Sequence, residues 1–362
     1  MSKGFTAAIL IVLNTFFSVE ARDSYRITGT VTGFKDSTLL FLGDANTSKT
    51  VDSTYILNNR FEFKGELKEV PAYMLISTAD HSDYKFFWLE NTAVSFNAEK
   101  GKFRNAVIKG SKTQEDANLL EKTINPIRAT RDSISKLYYA DTTAKARALL
   151  KPHFKNLDKQ EEVAYQSFIR KYSGSLVSAS VLSVYKTTWA FDTVKALYQL
   201  LSSENKKSEY GQQVTAFVAL YKDIKVGDQY ADFTQPDTSG KPISLSQFKG
   251  KTVLVEFWAS WCYGCVKSNP ALMKIYNEFK PKGFEVLGVS LDKDRASWIK
   301  AIERDSLSFA NVSELKGDEN SAALIYGING IPDNILIDKS GIVVARNLSA
   351  VDLKKQLEEM LK

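Results

Sequence analysis

Cysteine is nearly missing from this chain of 362 residues, which holds two, and histidine is equally scarce at two. That scarcity excludes a small scaffold stapled by several disulfides. It also argues against structural zinc: two cysteines need two more ligands, and His81 and His153 fall in different stretches without metal-like spacing. No compact cluster of Lys and Arg with interleaved aromatics occurs, so nucleic acid is not an expected partner. No internal repeat or low-complexity tract appears. The apolar run near the start, residues 5–17, is too short to span a bilayer comfortably.

What is present describes an ordinary globular chain, 44% hydrophobic and 25% charged, with a net charge of +6. Residues 111–222 hold 17 Lys and Arg against 11 Asp and Glu and therefore carry the whole +6. A mild surplus spread along helices reads as a solvated face. At the start, Lys3 precedes the apolar run, and small residues stand at Val19 and Ala21. This pattern predicts a cleavable export signal over residues 1–21, against the alternative of a buried N-terminal strand or helix. No cysteine follows the run to take a lipid anchor, so an exported, soluble mature protein is expected.

Beyond the signal the texture changes twice. Residues 22–110 alternate apolar and polar positions with Gly, Asn and Asp at short intervals, as in "YRITGTVTG" and "YKFFWLENTAVSFNAEK". They read as a β-sandwich or barrel, with "LNNRFEF" as a hairpin because paired Asn tolerates positive φ. Residues 111–222 carry apolar residues at three- and four-residue spacing and read as helices. Ser173 or Ser175 is the expected cap of one helix, and Asp192 of the next. Residues 223–362 alternate strands and helices. "KTVLVEFWAS" reads as a buried central strand, "FEVLGVSLD" as another, and "DNILIDKSGIVVARNL" as a hairpin, giving a mixed sheet with helices on both faces.

Both cysteines lie in "WASWCYGCVKSNP", at Cys262 and Cys265. A bridge closing so small a loop constrains the unfolded chain little, so the spacing points to redox chemistry rather than to stapling. The strand ends just before the motif and a helix starts at it. Cys262 therefore stands at a helix N-terminus, where free N–H groups and the helix dipole favour a thiolate. Cys265 lies on the same helix face and can reach back to the first sulfur, so Cys262 is the expected attacker and Cys265 the resolving thiol. Glu256 is an acid inside an apolar strand; it is either an edge-facing charge or a buried group with a partner or a task.

Through "VGDQYADFTQPDTSGKPISLSQFKGKTVLVEFWASWCYGC", "GFEVLGVSLD" and "YGINGIPDNILIDKSGIVVARNL", residues 226–362 resemble the TlpA/ResA family of exported thiol-disulfide oxidoreductases. The resemblance implies a multi-domain α+β and α/β chain. Its C-terminal part would have the thioredoxin-like fold, preceded by a β-sandwich-like domain and a helical segment of the kind some members carry. It implies Cys262 as nucleophile and Cys265 as resolving thiol, with no cofactor beyond their redox-active disulfide. Trp261, Tyr263 and Gly264 would flank the sulfurs. Pro332 would be a cis proline facing them, turning the Ile331 backbone outward to pair with a substrate segment. Glu256 would exchange the proton of the inner cysteine. Two positions depart from the family pattern: Ser268 stands where a carboxylate is common, and Tyr263-Gly264 replaces the usual Gly-Pro or Glu-Pro pair.

The implied activity is a periplasmic reductase of disulfides in exported proteins, fed by a membrane thiol donor and connected to cytochrome c maturation. Two other classes stand beside it. A thiol peroxidase would need a lone peroxidatic cysteine with Thr and Arg around it, whereas here Ser260 precedes Cys262 by two and a second thiol follows. A partner-binding protein would use residues 24–222 for recognition and the last domain as a scaffold. In a blend of these readings, the N-terminal domains choose the substrate or hold a homodimer.

Overall fold

The computed structural model describes residues 24–141 and 143–362, so the export signal expected over residues 1–21 lies outside the described residues. The chain divides into two compact units, one reaching Glu161 and the other Glu162–Lys362. Among the described residues, no helix is long and apolar enough to cross a membrane.

The first unit contains strands β1 (Tyr25–Thr32), β2 (Thr38–Asp44), β3 (Thr50–Ile56), β4 (Arg60–Gly65), β5 (Ala72–Thr78), β6 (Tyr84–Leu89), β7 (Ala93–Glu99) and β8 (Val107–Lys109), then helix α1 (Lys112–Ala140). Two four-stranded sheets form, in the orders β4-β1-β7-β8 and β3-β2-β5-β6. The period-two pattern is plain in β1, whose residues are alternately buried and exposed. Ile27, Val31, Leu40, Leu42, Phe63, Met74, Phe87 and Phe96 fill a common core. The tight turn at Asn58 and Asn59, both at positive φ (52° and 62°), is closed by the Leu57–Arg60 bridge, but β3 and β4 pass into different sheets, so it is a corner between the sheets and not the expected hairpin. Ser111 caps α1 by accepting from the Gln114 N–H.

Helix α2 (Ala144–Lys171) runs through the boundary between the units. The second unit continues with α3 (Leu176–Tyr185), α4 (Phe191–Leu200), α5 (Ser203–Lys207) and α6 (Glu209–Leu220). Of the two serines expected as a cap, Ser175 takes the role at α3. The expectation for Asp192 needs correction: α4 begins at Phe191, Ala190 holds the cap position without a side-chain bond, and Asp192 lies in the first turn. The Phe191 ring, inside the first turn, packs 4.8 Å from Tyr221 and 6.0 Å from Phe217. Asp192 still faces the positive end of the helix dipole from the first turn.

A short hairpin of β9 (Thr234–Pro236) and β10 (Pro242–Ser244) leads into the thioredoxin-like sheet. Its elements are β11 (Thr252–Trp258), α7 (Tyr263–Phe279), β12 (Phe284–Ser290), α8 (Arg295–Arg304), β13 (Ala310–Val312), α9 (Ser321–Tyr326), β14 (Asp333–Ile337), β15 (Val343–Arg346) and α10 (Ala350–Met360). The strand order is β13-β12-β11-β14-β15. β11 pairs parallel with β12 and antiparallel with β14, and all seven of its residues are buried, which is why its sequence is a nearly unbroken apolar run. The chain leaves this central strand and enters α7 at the cysteine motif.

Candidate active site

Cys262 is the N-cap residue of α7, and its sulfur accepts a hydrogen bond from the Cys265 N–H at 3.1 Å. The two cysteines are joined as a disulfide, with Cα atoms 5.3 Å apart. Their surroundings differ. Cys265 is fully enclosed, while Cys262 keeps 6% of its surface in solvent. Backbone donors at the start of a helix stabilise negative charge on the outer sulfur once the bond is reduced. The arrangement can therefore offer one reactive thiolate and hold a second thiol in reserve.

Trp261 and Tyr263 stand out on either side of Cys262, 63% and 72% exposed. The Lys267 ammonium lies 4.6 Å from the centre of the Tyr263 ring. Gly264 is the point of closest approach to the opposing loop, since a Cβ added there would stand 3.3 Å from Cδ of Pro332. The Ile331–Pro332 bond is cis, and the Pro332 ring stands against Gly264 in the cysteine turn. Among the described residues, neither the N–H nor the C=O of Ile331, the residue before Pro332, makes a hydrogen bond within the chain. Ser268, standing where the related proteins often carry a carboxylate, donates its hydroxyl to the Cys265 carbonyl at 2.9 Å.

Glu256 is buried in β11 opposite Asn334 of β14, so the edge-facing alternative does not describe it. Burial pushes its carboxyl up to about 8, the nearby Asp333 adds to the shift, and a hydrogen bond with Asn334 opposes it. A pocket of about 380 Å³ reaches this acid and is lined by Ser268, Leu272, Pro332 and Asn334 among others. Asp333 itself is compensated by Arg346, whose guanidinium lies 2.9 Å away.

One buried acid at the site was not singled out by sequence. Asp292, 1% exposed, accepts from the Ser260 N–H at 3.0 Å, the Ser260 hydroxyl at 2.6 Å and the Ser290 hydroxyl at 2.7 Å. It ties the end of β12 to the turn that presents Cys262. The available signal was the same one that marked Glu256: an acid closing an apolar strand, here in "GVSLD". Among the described residues, no group of three or more His, Cys, Asp or Glu is placed to hold a metal.

Comparison with known proteins follows the division of the chain. Residues 226–346 match the AhpC/TSA family, and residues 25–117 match a domain of unknown function, DUF4369. The thiol-disulfide oxidoreductase ResA of Bacillus thuringiensis subsp. konkukian is 34% identical over 139 residues, which cover 38% of this chain and 78% of that protein. ResA of Bacillus anthracis is 32% identical over 146 residues, covering 40% and 82%. Among solved structures, the thioredoxin domain of a thiol-disulfide oxidoreductase from Bacteroides vulgatus is 39% identical. It covers 39% of this chain and 100% of its own, with a TM-score of 0.37.

Proposed function

The chain belongs to the ResA family of thiol-disulfide oxidoreductases, and from that premise we propose that it works as a reductase of disulfides in exported proteins. The observation that carries the assignment of roles is the unequal burial of the two sulfurs at the start of α7. In the reduced enzyme the Cys262 thiolate attacks one sulfur of the client disulfide. A mixed disulfide forms, and the first client thiolate leaves and takes up a proton. In the fraction of enzyme whose Glu256 is ionised, Cys265 gives its proton to that carboxylate and attacks the Cys262 sulfur. The enzyme disulfide closes and the second client thiolate is released. Two electrons have passed to the client, and a donor dithiol must return two to the Cys262–Cys265 bond.

Around this exchange, Trp261, Tyr263 and Gly264 form the rim that meets the client, and the free backbone at Ile331 pairs with an extended client segment. Pro332 holds that backbone opposite the cysteine turn. Glu256, reached by the pocket beneath Ser268 and Pro332, is the proton store for Cys265. The signal-like residues 1–21 support a periplasmic location, with a membrane thiol protein as donor and apocytochrome c among the clients. The two N-terminal parts of the chain, residues 22–110 and 111–222, would select clients or hold a homodimer.

The direction of electron flow is tested by equilibrating the Cys262–Cys265 pair in graded dithiothreitol or glutathione buffers and counting alkylated thiols. A potential at or below thioredoxin's, about −270 mV, is expected for a reductase. A value near DsbA's, about −120 mV, would make the protein an oxidant.

A further inference from the structure

The helical segment ahead of the thioredoxin-like domain grips one short helix of that domain at both ends. At its start, the Lys186 ammonium, almost fully buried at the end of α3, lies 2.9 Å from the Glu319 carboxylate, two residues before α9. At its far end, the Lys222 N–H donates to the Ile325 carbonyl at 2.9 Å. Beside it stands Tyr221, the residue that closes α6, with its ring 5.0 Å from Phe217 and 4.8 Å from Phe191. The ring lies against Gly327, where α9 ends in the left-handed conformation at φ 60°. A Cβ at Gly327 would stand 2.6 Å from Cε2 of Tyr221, so the two segments meet with no room for a side chain. Leu220 and Ile224 on either side pack into the thioredoxin-like core.

Gly327 is also the root of the loop 328–332, which ends at Ile331 and Pro332 facing the cysteine turn. Ile328 is buried and its N–H donates to the Ala323 carbonyl at 2.9 Å. On the other side of the loop, Asp333 is held by Arg346. Tyr221 is therefore placed against the root of this loop. We propose that the helical segment is a clamp that fixes the loop 328–332 opposite the sulfurs, with Tyr221 as its positioning residue, so that extended protein clients are bound while small disulfides are treated as before. This rests on the reading of Ile331 as client-pairing backbone.

The test uses the full chain and two oxidised substrates, glutathione disulfide and an extended peptide bearing one internal disulfide. Tyr221→Ala is expected to raise KM for the peptide about tenfold with little change in kcat. Its rate with glutathione disulfide and its Cys262–Cys265 potential should match wild type. Tyr221→Phe, which keeps the ring, should behave as wild type, and Lys186→Met should repeat the peptide defect more weakly. Equal losses on both substrates, or none on the peptide, overturn the clamp. Hydrogen exchange separates this from the wider reading. Faster exchange at the Ile328 amide in Tyr221→Ala supports the clamp even if wild type reduces neither substrate, an outcome that would sink the reductase reading instead. Unchanged exchange there overturns the clamp whatever the kinetics.

Discussion

Glu256 keeps its proton to about pH 8 in the folded protein, whereas the unfolded chain releases it near 4.5. Between those values the unfolded state binds fewer protons, so stability falls as pH rises through the window. The isosteric Glu256→Gln removes that penalty. Denaturant titrations should show the variant close to wild type at pH 5 and more stable by about 3–5 kcal/mol at pH 9. The same substitution should slow the resolving step, measured as longer-lived mixed disulfides in quenched reactions. Acting before that step, Cys262→Ser should abolish turnover, and Cys265→Ser should trap clients as covalent adducts visible on non-reducing gels. Normal turnover by either serine variant would contradict the assigned roles.

At the scale of elements, the site is a junction between the end of β11 and the start of α7, and that junction is held from β12. Asp292 accepts both the N–H and the hydroxyl of Ser260. Removing the carboxylate leaves a buried amide and two hydroxyls to repair, whereas removing only the Ser260 hydroxyl leaves the amide bond intact. Asp292→Ala should therefore cost about 2–3 kcal/mol in urea unfolding and Ser260→Ala about 1 kcal/mol. The reverse order would mean that the network does not hold the turn. In α4, the residue expected to cap the helix instead lies in its first turn, and the half-buried Phe191 ring packs against Tyr221 and Phe217.

For the whole molecule, the unit Glu162–Lys362 joins helices that texture alone assigns to a separate segment with the redox domain. A fragment beginning at residue 223 loses Leu220 and Tyr221 from the packing and leaves Glu319 without Lys186. Its thermal transition should lie several degrees below that of a fragment beginning at residue 162, each melting as one cooperative step. Equal melting temperatures would mean that the helices add nothing to the domain's stability. The peroxidase alternative has its own check: consumption of hydrogen peroxide by the reduced protein should stay near the uncatalysed rate, since residues 253–270 around Cys262 hold neither the Thr nor the Arg that such chemistry places beside its thiol.

The reactive pair, the facing proline and the buried acid were legible because each is a local mark: two cysteines at a helix start, a proline ahead of a strand, one acid in an apolar run. Period and turn chemistry likewise announced the β-rich first unit and the tight Asn58-Asn59 turn, since backbone periodicity is written in neighbouring residues, while which sheet each flanking strand joins is not. What the sequence could not express are contacts whose partners are far apart in the chain. Ser260 and Asp292 are 32 residues apart, and Tyr221 against Gly327 or Lys186 against Glu319 are further still. No local pattern selects those partners. They are chosen when packing brings surfaces together and buried charges and hydrogen-bond donors must find whatever counterpart lies within reach. Sequence alone determined the chemistry of this protein; the tertiary structure decided what holds that chemistry in place.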